Sequence, residues 1–420
     1  MATRLRRAVR ALGRLGVAAL WALALLSAGV PAGAREIKVG MSAAFSGPSR
    51  ALGIELYRGA LAYIRYANQR HLLGADRLRV IALDDGYQPG PAIQNTIELV
   101  NQKRVFLLFN YVGTPTVTRM LPLLKMYRRY PLYLLFPFTG AEPQRRPPYR
   151  EYVFNLRASY LQETKGLVEN LLATGRRRIA IFYQADAYGR SGWLGVRRAL
   201  GAHGLKMVSE ATYRRGDKFS QSFQAQVDIL RRSHPQAVIS VGSYEACAGF
   251  IRDARGSGWQ VPIANLSFVD SDNLLRLLKH AAGDQQEKYT RNLIISQVVP
   301  SYEQTSLPAV AQYRRLMDRY DPQVPPELAP PDYRPLRYSF VSMEGFLNAK
   351  LLVKILSLMK GDLRRSRLPE VIEGIKDYDI GIGVPVRFGK NRHQGLDQVY
   401  YTTVRRGRLV PIRDWSHWRD

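Results

Sequence analysis

The sequence is short of cysteine, histidine, acidic residues and long apolar runs. A single Cys, Cys247, stands in 420 residues. No intrachain disulfide can form, so the fold rests on its cores, and a chain of this length can bury sizeable ones. Cys247 falls in an apolar strand-to-helix region, where a free Cys is more often a small buried hydrophobe than a nucleophile. The six His residues are scattered, with no HExxH and no His/Cys cluster of metal-ligand spacing. Walker A and GxSxG are missing, and Gly53 to Gly59 lacks the phosphate-binding spacing. With no placed nucleophile or base, enzyme activity is not expected, and no metal or cofactor is implied. After Leu26 no run is long and apolar enough to cross a bilayer, which takes ~20 residues.

What is abundant is positive charge. Lys and Arg number 62 against 34 Asp and Glu, a net +28. Nucleic-acid binding is the tempting inference. The basic residues are dispersed, however, in pieces such as Arg176-Arg177-Arg178, Arg214-Arg215, Arg231-Arg232 and Arg364-Arg365. There is no zinc-finger spacing and no RNA-recognition motif. No nucleic-acid partner is expected; an anionic membrane surface or an acidic partner suits such a field better.

The N-terminus reads as an export signal. Arg4, Arg6, Arg7, Arg10 and Arg14 form a basic region, Leu15 to Leu26 is uncharged and apolar, and Ala32-Gly33-Ala34 has small residues at the cleavage spacing. A single membrane anchor is the competing reading, and the apolar run is too short for it. No Cys lies near the cleavage site, which excludes a lipid anchor there. Residues 1–34 are therefore expected to be a cleaved signal peptide, leaving a periplasmic chain of two domains or one large one.

Apolar strands and amphipathic helices alternate along the mature chain. Strands are expected at Ile37–Met41, Leu78–Leu83, Val105–Phe109 and Leu132–Phe136. A Pro/Arg-rich turn follows at Pro143–Tyr149. The alternation then restarts with Ile179–Tyr183, Lys206–Ala211, Ala237–Val241 and Pro262–Leu266. Helices are expected between them, Phe219–Ser233 among them. Short apolar strands in βαβ order predict parallel sheets covered on both faces. Pro322 to Pro335 carries six prolines and reads as a surface insertion. No repeat of 20–50 residues is visible, so a solenoid is not expected.

Function is legible in where the strands end. Ligands of open α/β sheets sit outside the carboxyl ends of the strands. Those positions carry Phe45-Ser46-Gly47, Tyr111 to Thr116, Phe138-Thr139-Gly140, Ala187-Tyr188-Gly189, Ser243-Tyr244 and Ser267-Phe268. Asp84-Asp85 ends another strand; it reads as a carboxylate pair or, more simply, as a cap for the sheet edge and the next helix. Six polar and aromatic loops split over two units place hydroxyls, N–H groups and rings on both walls of one cleft, the chemistry of a small-ligand site. Taken singly, each aromatic is as well explained by packing.

These residues resemble the type I periplasmic binding proteins of the branched-chain amino acid-binding (Leu/Ile/Val-binding) kind, which serve ABC importers. The resemblance runs from Ile37 to the end. It rests on Ser46-Gly47-Pro48, Asp84-Asp85 with Pro89, Gly113/Thr114/Thr116, Pro137 to Ala141, Asp186 to Gly189, and Gly242-Ser243-Tyr244 followed by Arg255 to Gly258. It implies an α/β fold of two doubly wound, Rossmann-like lobes joined by three crossover strands. The lobes are expected at 35–156 plus 275–395 and at 157–274 plus 396–420, with crossovers near Asn155–Tyr160, Ser271–Gly283 and Gly395–Gln398. By the same resemblance the ligand-binding residues are Phe45, Ser46, Tyr111, Gly113, Thr114, Thr116, Phe138, Thr139, Gly140, Tyr160, Tyr188, Tyr244, Ser267 and Phe268.

The implied function is capture of a small molecule in the interlobe cleft and delivery by a monomer to an ABC permease in the inner membrane. The runner-up is a periplasmic sensor coupled to a membrane kinase or chemoreceptor. Amino-acid binders hold the ligand's ammonium with an acidic residue that aligns here with Ser267, and the nearest carboxylate in sequence is Asp270. A buried ammonium needs a charged or multi-acceptor partner. An aromatic or apolar carboxylate- or amide-like ligand is therefore expected in place of an ordinary α-amino acid.

Overall fold

The structure is a computed structural model, and it describes residues 34–127, 130–283, 285 and 287–416. The export signal read at 1–34 lies outside the described residues but for its last one. Within them, no helix is long and apolar enough to cross a membrane.

Two sheets organise the chain. In the first, β1 (Glu36–Ala43), β2 (Arg77–Asp84), β3 (Leu107–Phe109), β4 (Leu134–Leu135) and β5 (Val153–Phe154) lie in the order β2-β1-β3-β4-β5. All four pairings are parallel. Connecting helices α1 (Arg50–Gln69), α2 (Pro89–Asn101) and α3 (Thr114–Met126) cover its faces. The strands are apolar on both sides because both sides are covered.

The chain then crosses over. Gly140 accepts a hydrogen bond at 2.7 Å from the backbone N–H of Tyr160, the first residue of α4 (Tyr160–Ala173). A capping box of Ser159 and Gln162 starts that helix, which fixes where the chain turns into the second unit. Seven strands form the second sheet. Five are β6 (Ile179–Gln184), β7 (Glu210–Tyr213), β8 (Ala237–Val241), β9 (Ile263–Asn265) and β10 (Leu293–Gln297); the tail adds β13 (Tyr400–Arg405) and β14 (Arg408–Pro411). Their order is β14-β13-β10-β9-β8-β6-β7. Helices α5 (Ala187–Gly201), α6 (Gln224–Arg231), α7 (Tyr244–Gly256) and α8 (Ser271–Ala282) connect the parallel strands.

The later helices return to the first unit. Here α9 (Pro308–Tyr320) and α10 (Phe340–Leu358) pack on α1. A Cβ on Gly59 would lie 1.8 Å from the Ser342 carbonyl oxygen, and one on Gly345 would lie 2.1 Å from that of Leu56. The two helix backbones approach this closely only because neither residue has a side chain. The chain continues through α11 (Leu368–Glu373) and a small hairpin of β11 (Tyr378–Asp379) and β12 (Pro385–Val386). It passes beside the first crossover, where Gly395 donates to Asn155 and Leu396 to Leu156, before joining the second sheet.

Four expectations are corrected. Residues 271–282 form a helix and not a crossover; Asp270 caps it and its apolar face is buried. The lobe boundary expected at residue 274 falls too early, since β10 is hydrogen-bonded into the second sheet between β9 and β13. The strand expected at Lys206–Ala211 is β7 at Glu210–Tyr213, with Ala211 and Tyr213 turned inward. The helix expected from Phe219 starts only at Gln224, because Glu245 and Asp253 take the N–H groups of Phe219 and Phe223.

The crossing of α1 and α10 gives a direct test. Gly59→Ala is expected to cost about 1–3 kcal/mol through overpacking. Gly201→Ala, at an exposed helix end with open space around it, is expected to gain a few tenths up to about 1 kcal/mol. Urea unfolding of both variants would measure the contrast.

Candidate functional site

The strand ends of the first sheet are held by Asp84 and Asp85. Asp84 accepts the N–H groups of Phe45 at 2.8 Å, Ser46 at 3.2 Å and Gly86 at 2.9 Å. Asp85 accepts from the Ser42 hydroxyl at 2.7 Å and the Tyr87 N–H at 2.8 Å. Burial pushes the Asp85 carboxyl up to about 7, against these hydrogen bonds. Both carboxylates shape loops at the sheet edge, as half of the simpler reading anticipates; neither caps the next helix, which starts without a side-chain cap.

Not every strand-exit residue reaches the cleft. Phe45 is buried edge-on to Tyr57, with ring centroids 6.1 Å apart, in the core under α1. Ser46 is exposed. Tyr111 is buried in a separate core patch, its hydroxyl 3.1 Å from that of Thr96. Thr116 spends its hydroxyl on the carbonyls of Val112 and Gly113, inside its own helical turn. The common reason is direction: successive side chains at a strand end point to opposite faces, and sequence alone does not say which face meets the second lobe.

The remaining aromatics do meet. Phe138 lies 5.4 Å from Phe268, Phe268 lies 4.6 Å from Tyr188, and Tyr188 lies 5.1 Å from Tyr160. Tyr87, which sequence reasoning missed, joins them 5.9 Å from Phe268. Its backbone has φ 62° after a polar Asp-Asp-Gly turn, and that turn was the available signal. Gly113 makes room for it: with φ 99°, a Cβ there would sit 2.2 Å from the Tyr87 ring. The two lobes therefore touch through rings. They also touch through Ser49 and Ser243, whose hydroxyl oxygens are 3.3 Å apart, and through Arg215, which donates to Gln88.

Local structure sets these side chains. Asp186 caps α5 by accepting the N–H groups of Tyr188 and Gly189, which holds Tyr188 on the first turn of the helix. Its hydroxyl has no hydrogen-bond partner although the ring is fully buried. Tyr244 opens α7 and is buried next to Ser243. Thr114 and Thr139 join hydroxyls at 2.7 Å. Gly140 lets the first turn of α4 come close, since a Cβ would lie 2.7 Å from the Tyr160 nitrogen.

Beneath the rings lies a buried charge cluster that the sequence reading did not contain. Arg157 donates through Nη2 to Glu163 and to the Ser267 hydroxyl, and its Nη1 is 3.5 Å from Glu344. Its guanidinium carbon is 4.7 Å from the Phe138 ring centroid and 5.8 Å from that of Tyr160. Burial works against the Arg157 charge, and Glu344 and Glu163 more than offset it, so its pKa is raised. Burial pushes Glu344 up to about 7, with Arg157 opposing. In a chain with this many arginines, Arg157 carried no distinguishing signal.

Glu163 alters the expectation at Ser267. It accepts from the Ser267 N–H at 2.9 Å, the Ser267 hydroxyl at 3.0 Å and the Ser296 hydroxyl at 2.6 Å, besides Arg157. A carboxylate thus stands behind Ser267, but its lone pairs are taken. Asp270 is turned away: it accepts from the Asn273 N–H at 3.3 Å and side-chain amide at 2.6 Å, capping α8. Among the described residues, the groups left without hydrogen bonds here include donors, Arg157 Nε and the Tyr188 hydroxyl.

Comparison with known proteins adds a family. A profile described as periplasmic binding protein matches residues 36–408. A possible leucine/isoleucine/valine-binding protein from Rhodopirellula baltica SH 1 is 33% identical, with a TM-score of 0.80 over 92% of this chain and 98% of that one. A substrate-binding periplasmic protein from Ralstonia solanacearum is 26% identical, with a TM-score of 0.77 over 90% of this chain and 100% of that one. A branched-chain amino acid ABC transporter protein from Thermus thermophilus with bound valine shares the fold at 18% identity and a TM-score of 0.77, over 91% and 96% of the chains. Among curated proteins, no sequence matches significantly.

Two measurements follow from the buried charges. Arg157→Ala strands two carboxylates and is expected to cost about 3–5 kcal/mol, read by denaturant unfolding. Burial lifts the Asp270 carboxyl to about 8. The folded state then binds more protons than the unfolded state between the ordinary carboxylate range and about 8, so this group's contribution falls as pH rises through that window. Asp270→Asn is expected to flatten the fall in unfolding midpoint between pH ~5 and ~9.

Proposed function

Because the chain belongs to the periplasmic binding protein family, of the branched-chain amino acid-binding kind, we propose that it captures a small molecule between its lobes outside the cytoplasm and delivers it to an ABC importer. Residues 1–34 serve as the export signal in this reading, and the mature chain acts as a monomer without catalysis. The observation that carries it is the meeting of Tyr87 and Phe138 from one lobe with Tyr188 and Phe268 from the other. A ligand that contacts both walls binds the closed arrangement more tightly than the open one and so drives hinge closure. The permease then reads the closed shape.

Chemistry narrows the ligand. Glu163 has four donors and no free acceptor for an ammonium. Arg157 Nε and the Tyr188 hydroxyl supply donors without partners, and a buried donor favours a ligand that accepts. The rings favour apolar or aromatic surface. Together these support an aromatic or apolar carboxylate- or amide-like compound over an ordinary α-amino acid.

The test is a thermal-shift screen of the purified mature protein against aromatic acids, aliphatic acids, amides and amino acids. Melting temperature is expected to rise with an acid or amide and not with leucine or valine. Tyr188→Ala and Tyr244→Ala are each expected to weaken the best compound at least about tenfold, a loss of about 1.4 kcal/mol. Unchanged affinity in both variants would remove the cleft as the site.

A further inference from the structure

A cavity of about 460 Å³ opens beside the aromatic cluster, and two helices from opposite lobes face each other across it. From the first lobe, α3 presents Thr114 and Thr118, one turn apart. From the second, α5 presents Ala187, Arg190, Ser191 and Leu194. That i, i+3, i+4, i+7 spacing is one continuous face of a helix. The proline-rich loop 143–149 closes one side, and Tyr160 and Leu161 close the inner end. Of the α5 residues, only Ala187 was singled out by the sequence, as part of a strand-exit loop.

The walls are mostly apolar, and their polar groups fall at separate places. At the inner end the Thr114 hydroxyl, paired with Thr139, lies by the Tyr160 hydroxyl. The Thr118 hydroxyl oxygen is buried with no hydrogen-bond partner. At the rim, Arg146 is neutralised by Glu142 at 2.8 Å. Arg190 is exposed and forms no ion pair among the described residues. An apolar slot with an unpaired guanidinium at its mouth fits an amphipathic anion. Its volume lies within the range of small-molecule sites.

We propose that this slot between α3 and α5 seats the apolar body of the ligand, a monocarboxylate with an aromatic or aliphatic tail whose carboxylate pairs with Arg190. The inference rests on the capture reading above and deepens it. It moves the specificity of the protein from the strand-exit aromatics to the exposed face of α5. Since the slot has one wall on each lobe, filling it favours closure by the same population shift.

The probes are 3-phenylpropionate, 3-phenylpropionamide and L-leucine, titrated calorimetrically into the full mature protein. The acid is expected to bind and leucine is not. Leu194→Trp fills the slot and is expected to weaken the acid at least tenfold; Ser191→Phe, about one helical turn away, gives the same loss if the first variant folds poorly, with far-UV circular dichroism as the folding control. Arg190→Gln is expected to weaken the acid at least tenfold and leave the amide within twofold.

If both slot-filling variants bind the acid normally while Tyr188→Ala loses it, the slot is overturned and the capture reading stands. If the slot variants and Tyr188→Ala all bind normally, both fail. Absence of binding by the acid to the unaltered protein overturns the ligand class proposed here.

Discussion

Arg157 sits where the first crossover leaves one sheet for the other, and its guanidinium has a carboxylate on each side. Glu344 comes from α10, packed on the first lobe; Glu163 comes from α4 in the second, with Ser267 beside it. Three charges removed from water are tolerable only in mutual contact. That contact ties the hinge, the late helix α10 and the floor of the cleft into one unit. The rings of Phe138 and Tyr160 lie over the guanidinium, so the aromatic surface between the lobes is positioned by the same charge. Arg145, half-buried, extends the cluster by donating to carbonyls of Ala141, Thr139 and Arg157. Burial, with Arg157 adding, draws its pKa down to about 10.

The doubly wound plan was readable because parallel sheets have a blunt signature. Ala237–Val241 has the bounds that its apolar run suggests. What hydrophobic pattern does not encode is partnership. Nothing in Leu293–Gln297 says which sheet it joins: it pairs with β9 on one side and, on the other, with the tail strand β13, more than a hundred residues later in the chain. The mistaken lobe boundary came from those unencoded pairings.

The candidate site was legible to the extent that it is backbone geometry. Tyr188, Phe138 and Phe268 follow from loops at strand ends and Tyr160 from the family resemblance, and the structure assembles them. Phe45 and Tyr111 occupy the same kind of position and turn into cores, a one-residue matter of which side of the sheet each faces. The charge cluster was illegible for another reason. Its charged members lie at 157, 163 and 344, each unremarkable alone, and only burial makes them exceptional. The α5 face was hidden because Ala, Arg, Ser and Leu at helical spacing look like any solvated helix surface.

The glycine contact between α1 and α10 has a consequence for how the molecule is made. Gly59 and Gly345 bring together chain segments almost three hundred residues apart. The lobe that begins first is not closed until α10 has been made, after strands β6 to β10 of the second lobe. Contacts so distant in sequence are slow to form. Until α10 docks, the apolar face of α1 has no cover, and an exposed apolar surface is a liability for aggregation. A chain built this way keeps its first lobe open until most of its length has been made.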